Sequence, residues 1–320
     1  MSQESDSPLK EFLPLMCHTL PEKLRLKAKK ELNETEENFR RGIQHLKDFI
    51  LRKELPSFND DVLLAFLRGA KFDMKKCEDR YKRYISMRYK IADLVHRLDE
   101  DKIRSILDSA VLNLLPYRDS EGRVIICSVA KAYDETVATV DELSVCLLCF
   151  LEFAMKFPAT TVSGFNYITC ARIQQFRYLY DFFRGYRLYL PFLLSVPVRL
   201  HRFEIINENT LVRWFYNILS RILPSKTVKK IHMHGELKGE TMASLLKIYN
   251  VSLLPQEFGG TLGPINNDFY KQPFLKFMEN MRSDNARFLK GRKTSFDLSS
   301  LKEDLTSDVP GHIYEGSSID

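Results

Sequence analysis

The sequence has no long apolar run and little cysteine. In 320 residues, the longest strongly apolar run without a charge covers residues 188–198, well short of the roughly 18 residues that span a bilayer. The opening stretch MSQESDSPLKEF is polar, so we expect no secretory signal. Six cysteines are too few for a disulfide scaffold. These absences predict a soluble, cytoplasmic protein with free thiols.

Sequence signatures of catalysis and of metal binding are also missing. The chain has no G-x-S-x-G elbow, no phosphate-binding P-loop and no dinucleotide-binding G-x-G-x-x-G. His232 and His234 would share one face of a strand, but two ligands do not make a metal site. Cys146 and Cys149 have C-x-x-C spacing inside a helical pattern, where packing thiols are expected. We therefore predict a protein that is not an enzyme and holds neither a metal nor a cofactor.

The composition is that of a globular protein, with 44% hydrophobic and 28% charged residues. Apolar residues near the start recur at helical spacing, as in Phe39, Ile43, Leu46 and Ile50. From residue 111 onward, β-rich runs alternate with helical patterns, which predicts an α/β class with a mainly parallel sheet. The predicted divisions are a flexible lead over 1–21, an all-helical N-terminal domain over 22–98, an α/β domain over 99–279 and a polar C-terminal tail over 280–320.

Positive charge is concentrated in one part of the chain. Residues 172–230 contain eleven basic and three acidic residues, so this segment has a charge of +8, the whole chain +6 and the remainder −2. The same segment contains twelve of the 37 aromatic residues. A basic and partly apolar surface suits a phospholipid membrane, but it also suits single-stranded RNA. A solvated basic face beside a buried core is the third interpretation.

Two segments of the α/β region are informative. Residues 208–222, ENTLVRWFYNILSRI, form an amphipathic pattern that either covers the sheet permanently or acts as a lid over an apolar cavity. The single tryptophan, Trp214, suits a membrane interface. In VSGFNYITC, alternation places Phe165, Tyr167 and Thr169 on one face, as a core layer or a cavity wall. The apolar face of the amphipathic helix is predicted to contain Leu211, Trp214, Phe215, Ile218 and Ile222.

Five segments in order resemble the CRAL-TRIO lipid-transfer family, in particular its group of alpha-tocopherol transfer and retinaldehyde-binding proteins. The matching segments are LLAFLRGAKFD, YRDSEGRVIICSV, IINENTLVRWFYNIL, KTVKKIHMHG and LLPQEFGG. The resemblance implies a small helical domain followed by an α/β domain whose sheet forms the floor of a hydrophobic pocket closed by a helical gate. It also implies a cytoplasmic carrier that associates transiently with membranes and moves one hydrophobic ligand between them.

The resemblance further implies three sets of site residues. A surface that binds phosphatidylinositol bisphosphate would contain Arg68, Arg199, His201, Lys226 and Lys230. A hydrophobic ligand pocket would contain Leu143, Cys146, Phe150, Phe165, Tyr167, Thr169, Val196 and Val198. The gate would be the apolar face of residues 208–222 described above.

The nature of the ligand stays open at this level. Phe150 and Phe165 are bulkier than the residues usual in tocopherol binders, and Asn209 replaces the family's proline before the gate. Retinoid, tocopherol-like, carotenoid and phospholipid ligands are all compatible with the sequence. A phosphatidylinositol exchange protein and a phosphoinositide-responsive adaptor that transfers nothing are the alternatives. We expect no nucleic-acid ligand and no obligate protein partner.

Overall fold

The structure is a computed structural model that describes residues 9, 11–172, 195–221, 223 and 225–291. The helix expected over residues 173–193 and the predicted gate residue Ile222 lie outside this set. The helices are α1 (Glu22–Leu32), α2 (Glu36–Arg52), α3 (Asp60–Gly69), α4 (Met74–Arg97), α5 (Glu100–Asp108), α6 (Val140–Met155), α7 (Pro158–Ser163), α8 (Thr210–Leu219), α9 (Ser225–Val228), α10 (Gly239–Ile248) and α11 (Asp268–Gly291). The strands are β1 (Leu112–Leu114), β2 (Val124–Val129), β3 (Phe165–Cys170), β4 (Leu200–Ile206) and β5 (Ile231–Met233).

The first helices begin at capping residues that can be read from the sequence. The side chains of Thr35, Asn59 and Asp73 each accept a hydrogen bond from a backbone N–H in the first turn of α2, α3 and α4. Such caps satisfy N–H groups that have no partner within the helix. Helix α2 then buries Ile43 and Leu46 against its neighbours, as the periodicity predicts. Capping and patterning together determine the helical N-terminal part.

The strands form one sheet in the order β1-β2-β3-β4-β5. Strand β1 pairs antiparallel with β2, and the remaining neighbours are parallel. The β1–β2 turn closes on the Asp119 carboxylate, which accepts the N–H groups of Glu121 and Arg123. Gly122 adopts φ +78° in this turn, a conformation that favours glycine. The predicted α/β class with a mainly parallel sheet is confirmed.

Strand alternation divides the apolar residues of the sheet between two cores. Ile126 and Phe165 belong to a large core that includes α4, α6 and α11. Ile125 and Ile168 point to the opposite face and pack with α10 and the following turn. A smaller core joins α8 to β4 through Ile205. Within the described ranges, the two larger cores cover most of the sheet, and helix α8 packs near β4 and β5.

Helix α11 returns from the α/β part to the helical part. Asn285 donates a hydrogen bond to the carbonyl of Ala92 on α4, and the ring of Phe288 packs against Tyr89. Met281 and Phe288 are buried, so the helix continues through residues 280–291, which the sequence pattern assigns to a polar tail. Burial of a few apolar side chains is sufficient to extend the helix through this polar stretch.

Residues 11–20, part of the segment predicted as a flexible lead, pack on the body of the protein. Phe12 and Leu15 are buried, and Pro14 forms a β-bridge with Tyr117. The fully buried guanidinium of Arg118 donates hydrogen bonds to the carbonyls of Pro14 and Leu15. Within the described ranges, none of the helices combines the length and apolar character that crossing a bilayer requires.

Candidate functional site

Helix α8 contains most of the segment predicted as the gate and carries two apolar stripes. Asn209 caps it by accepting the N–H of Val212 at 3.0 Å, a role that the family's proline side chain could not fill. The buried stripe consists of Val212, Phe215 and Leu219, which differs from the predicted face because only Phe215 is common to both. Trp214 is 55% exposed. Leu211 and Ile218 have intermediate exposure, and Leu211 packs against the small core, so the predicted face is only partly buried.

The sheet beside α8 presents both aromatic and hydroxyl side chains. The rings of Tyr167 and Phe203 meet edge-on at 4.9 Å between centroids. Ser128 donates a hydrogen bond of 2.8 Å to Thr169 on the neighbouring strand. Burial raises the pKa of Tyr167 to about 12, so the phenol stays protonated at neutral pH. This face of the sheet is apolar with a few neutral hydrogen-bonding groups, which suits a hydrophobic ligand that carries a polar end.

The predicted pocket residues fall into two groups. Leu143, Tyr167 and Thr169 are only partly buried and lie at the edge of the large core. Phe150 is fully buried, with its ring 4.8 Å from that of Phe274 and 5.7 Å from that of Tyr270. These contacts place Phe150 between α6 and α11. The other predicted residues are also buried, and they are Cys146, Phe165, Val196 and Val198.

A cluster of basic side chains lies where the helical part meets the first residues of the parallel strands. We call it the basic cluster, and it consists of Lys27, Arg68, Arg80, Arg123, Arg199, His201 and Lys230. The charges of other members lower the pKa values of Arg199, His201 and Lys230, which shows that the residues lie close together. The members come from α1, α3, α4, β4 and the turns before β2, β4 and β5. Three of the five predicted phosphoinositide residues, Arg199, His201 and Lys230, are central to the cluster.

Arg68 is brought to the cluster but is already paired. Its guanidinium is 6% exposed and forms a two-pronged ion pair with Glu34, at 2.7 and 2.6 Å. A third nitrogen donates a 2.8 Å hydrogen bond to Thr161. The arrangement fastens α3 to the loop before α2 and to α7. Any phosphate that reaches Arg68 has to compete with a carboxylate.

Arg199 and Lys230 form no ion pair with a carboxylate in the described part of the chain. Arg199 donates to the carbonyls of Arg68 and Val162, and Lys230 donates to that of Leu200 at 2.7 Å. Burial lowers the pKa of Arg199, and the more distant charge of Glu31 only partly opposes this effect. Burial also lowers the pKa of Lys230, and the charges of Arg199 and Arg80 lower it further. Both cations therefore carry charge that the protein balances incompletely.

His201 lies among these cations. Burial is the main cause that lowers its pKa to about 4, and the charges of Arg123, Arg199, Lys230 and Lys27 lower it further. Its Nε2 atom is buried without a hydrogen-bond partner among the described residues. The imidazole is thus neutral at neutral pH, and an anion placed nearby would favour its protonation. Lys226 is exposed on α9, outside this set of close neighbours.

Arg80, Arg123 and Lys27 join the cluster without any signal in the sequence pattern. They come from separate helices and a turn, so only the packing of α1 and α4 beside the sheet brings them together. Lys27 is paired with Glu121 at 2.9 Å, and Arg123 with Asp119 at 3.2 Å. Arg80 has no such partner in the described ranges. Burial and the charge of Arg83 lower its pKa.

Of the two histidines considered as metal ligands, His234 has a structural explanation. Nε2 of His234 lies 2.6 Å from the buried carboxylate of Glu204, which also pairs with Arg202. No group of three or more potential metal-ligating side chains occurs in the ranges that the structure describes. Glu204 therefore balances charge beneath the sheet, on the side opposite to α8.

Comparison with known proteins agrees with this architecture. The CRAL/TRIO domain profile matches residues 108–260. Alpha-tocopherol transfer protein-like of Homo sapiens is 24% identical over 310 residues, covering 91% of this chain and 85% of its own length. Clavesin-1 of Xenopus laevis is 27% identical over 256 residues, covering 78% and 76%.

A solved structure, the crystal structure of Sfh5, aligns with a TM-score of 0.44 and 12% identity over 74% of this chain and 91% of that one. The chain carries a CRAL/TRIO domain over residues 108–260 and is similar in sequence to alpha-tocopherol transfer protein-like and to clavesin-1.

Proposed function

We propose that this protein binds one hydrophobic ligand against the sheet face beside α8 and carries it between membranes, docking through the basic cluster onto phosphatidylinositol bisphosphate. The observation that carries the proposal is the juxtaposition of two features. One is a cluster of basic residues in which Arg80, Arg199 and Lys230 form no ion pair with a carboxylate of the described ranges, and the other is a helix that presents an exposed tryptophan. No bond of the ligand is made or broken in this function.

Within the described ranges, the smaller apolar core that holds α8 supports a gate. Helix α8 is held by a small apolar core in which Phe215 and Ile205 meet, whereas α6 and α11 are held by the large core. Segments with few buried contacts open at lower free energy than the rest of a protein. A membrane offers Trp214 and its flank an apolar interface, so contact with lipid favours the open state.

The energetics of the ligand favour a carrier. Each CH₂ group removed from water contributes about 0.8 kcal/mol, so a terpenoid or acyl ligand leaves a bilayer slowly without help. An apolar site that opens at the membrane surface lowers this barrier. The neutral hydroxyls of Tyr167 and Thr169 can receive one polar end of the ligand. They do not balance a charged head group, and this disfavours phosphatidylinositol exchange.

Ligand extraction tests the carrier. The protein is purified from its native cells or incubated with their lipid extract, then extracted with solvent and examined by mass spectrometry. We expect one enriched hydrophobic molecule near one per chain. Recovery of background lipid alone, together with intact phosphoinositide binding, would favour the adaptor instead. Conversion of the bound molecule over time would indicate an enzyme.

Charge reversal tests the docking surface. Lys226→Glu with Lys230→Glu should strongly weaken binding to vesicles that contain phosphatidylinositol bisphosphate and leave ligand affinity unchanged. The matched control is Lys247→Glu with Lys276→Glu, which changes the net charge equally at exposed positions on α10 and α11. Equal loss in both double variants would mean that general charge, and not this surface, determines vesicle binding.

A further inference from the structure

We propose that Arg80, on α4 of the helical part, is a further phosphate-binding residue of the basic cluster, so that the site spans both parts of the protein. The inference rests on the proposed phosphoinositide docking and deepens it. Arg80 is not among the phosphoinositide-binding residues that the resemblance implies, and the matched domain begins only at residue 108. The ligand chemistry is a pair of phosphomonoesters on an inositol ring.

The absence of a side chain at Gly69 leaves space for the guanidinium of Arg80. A β-carbon at Gly69 would lie only 2.6 Å from Nη1 of Arg80 and 2.9 Å from the carbonyl oxygen of Pro197. The guanidinium therefore lies directly on the backbone at the end of α3, beside the segment that leads into Arg199. Glycine is required here because any larger residue would move either Arg80 or the backbone of Pro197.

The Arg80 guanidinium forms no ion pair with a carboxylate of the described ranges. Its Nη1 atom is buried and has no hydrogen-bond partner among the described residues. Its charge lowers the pKa values of Arg199 and Lys230, which shows that the three cations are close enough to repel one another. A protein gains nothing in stability from such an arrangement, since an unpaired buried charge is costly. A bound polyanion would pair with the Arg80 charge and would offset the repulsion among the three cations.

The contrast with Arg68 assigns the two arginines different tasks. The donors of Arg68 are used by Glu34 and Thr161, so this residue connects three segments. Arg80 lies next to Arg68's neighbour Gly69 and still has a donor available. Guanidinium groups bind phosphate through two parallel N–H donors, a geometry that lysine lacks. Arg80 can therefore offer a phosphate the two parallel N–H donors that Arg68 already uses to bind the carboxylate of Glu34.

The test compares Arg80→Gln with Arg97→Gln, an exposed arginine in the last turn of the same helix. Two probes are used: vesicles containing phosphatidylinositol bisphosphate, and the soluble inositol trisphosphate head group. We expect Arg80→Gln to weaken both interactions by about tenfold, as loss of one charge-assisted contact implies. Arg97→Gln should change neither. The melting temperature without ligand should stay the same or rise in Arg80→Gln, while the rise caused by the head group becomes smaller.

Each outcome has a separate meaning. If the wild-type protein binds neither probe, the proposed docking fails and this inference fails with it. If wild type binds and Arg80→Gln binds equally well, only the role of Arg80 is overturned. A lower melting temperature with an unchanged head-group effect would make Arg80 structural. If Arg80→Gln does not fold, Arg80→Lys replaces it: severalfold weaker head-group binding supports the fork, and unchanged binding overturns it.

Discussion

Arg118, which is fully buried, and Arg80, which is partly buried with a buried Nη1 atom, show how differently one protein can treat the same side chain. Arg118 donates to the carbonyls of Pro14, Leu15 and Gly122 and to the hydroxyl of Thr160. Arg80 leaves a buried nitrogen without a partner in the described ranges and lies close to other cations. Both have pKa values lowered by burial, to about 10 for Arg118. Burial alone therefore does not distinguish a structural cation from a binding one.

The two guanidinium groups differ in which acceptors satisfy their N–H donors. Around Arg118, the chain itself provides every acceptor, so the residue fastens residues 11–20 to the β1–β2 hairpin. Around Arg80, Arg199 and Lys230, backbone carbonyls provide some acceptors, and no carboxylate of the described ranges forms an ion pair. Such a surplus of charge is tolerated where an external anion binds. The following substitutions test this comparison, from the largest expected effect to the smallest.

Replacing Arg118 by Met should lower the free energy of unfolding by about 3–5 kcal/mol, because buried acceptors lose their donors. Urea denaturation measures the change. Vesicle binding of the remaining folded protein should be unchanged. A loss below about 1 kcal/mol would show that water replaces the guanidinium and that residues 11–20 are held by Phe12 and Leu15.

Replacing Glu34 by Gln should convert Arg68 from a paired cation to a free one. We expect stability to fall by about 1–3 kcal/mol, because one partner of a buried ion pair loses its charge. Affinity for phosphatidylinositol bisphosphate should rise severalfold, since the cluster gains one positive charge. Calorimetry with the soluble head group measures this gain. Lower affinity in this variant would mean that the Glu34 pair positions Arg68 for binding.

His201 should make stability depend on pH in a defined window. Its folded pKa of about 4 lies below the unfolded value of 6.5, so the unfolded chain binds more protons between these values. Stability is complete above pH 6.5 and falls as the pH falls through the folded value of about 4. After allowance for solvent screening, the contribution is about 1 kcal/mol. His201→Gln should remove this part of the pH dependence, which urea titrations across the window can measure. An identical dependence in the variant would assign it to other groups.

Lys226 provides the smallest expected effect on stability. Its side chain is exposed on α9, so Lys226→Gln should change the free energy of unfolding by less than about 0.5 kcal/mol. Vesicle binding should weaken by about fivefold, since one lysine near an anionic surface contributes about 1 kcal/mol. The two measurements separate surface charge from the buried part of the site. A stability loss as large as that expected for Glu34→Gln would mean that Lys226 contributes to the folded structure and not only to vesicle binding.

The local pattern of the sequence predicted the α/β class, but not the packing of residues 11–20 or the continuation of α11 through residues 280–291. Caps at Thr35, Asn59 and Asp73 mark helix starts, and alternation in β3 assigns Tyr167 and Ile168 to opposite faces of the sheet. These features depend on neighbours along the chain, so they are readable from it. The buried stripe of α8 was less predictable because two adjacent apolar stripes occur on one helix, and only contact with β4 selects Val212 and Leu219 over Trp214.

The sequence by itself determined the α/β class, most of the helices and strands, and the excess of positive charge. Tertiary structure alone decided which charges are balanced, because an ion pair such as Arg68–Glu34 joins residues 34 positions apart. It also decided that Arg80 lies on Gly69, next to the segment that leads into Arg199. Electrostatic energy depends on distance and on burial, and neither can be obtained from the order of residues. The positions of the cations can be read in the sequence, but their partners can be read only in the fold.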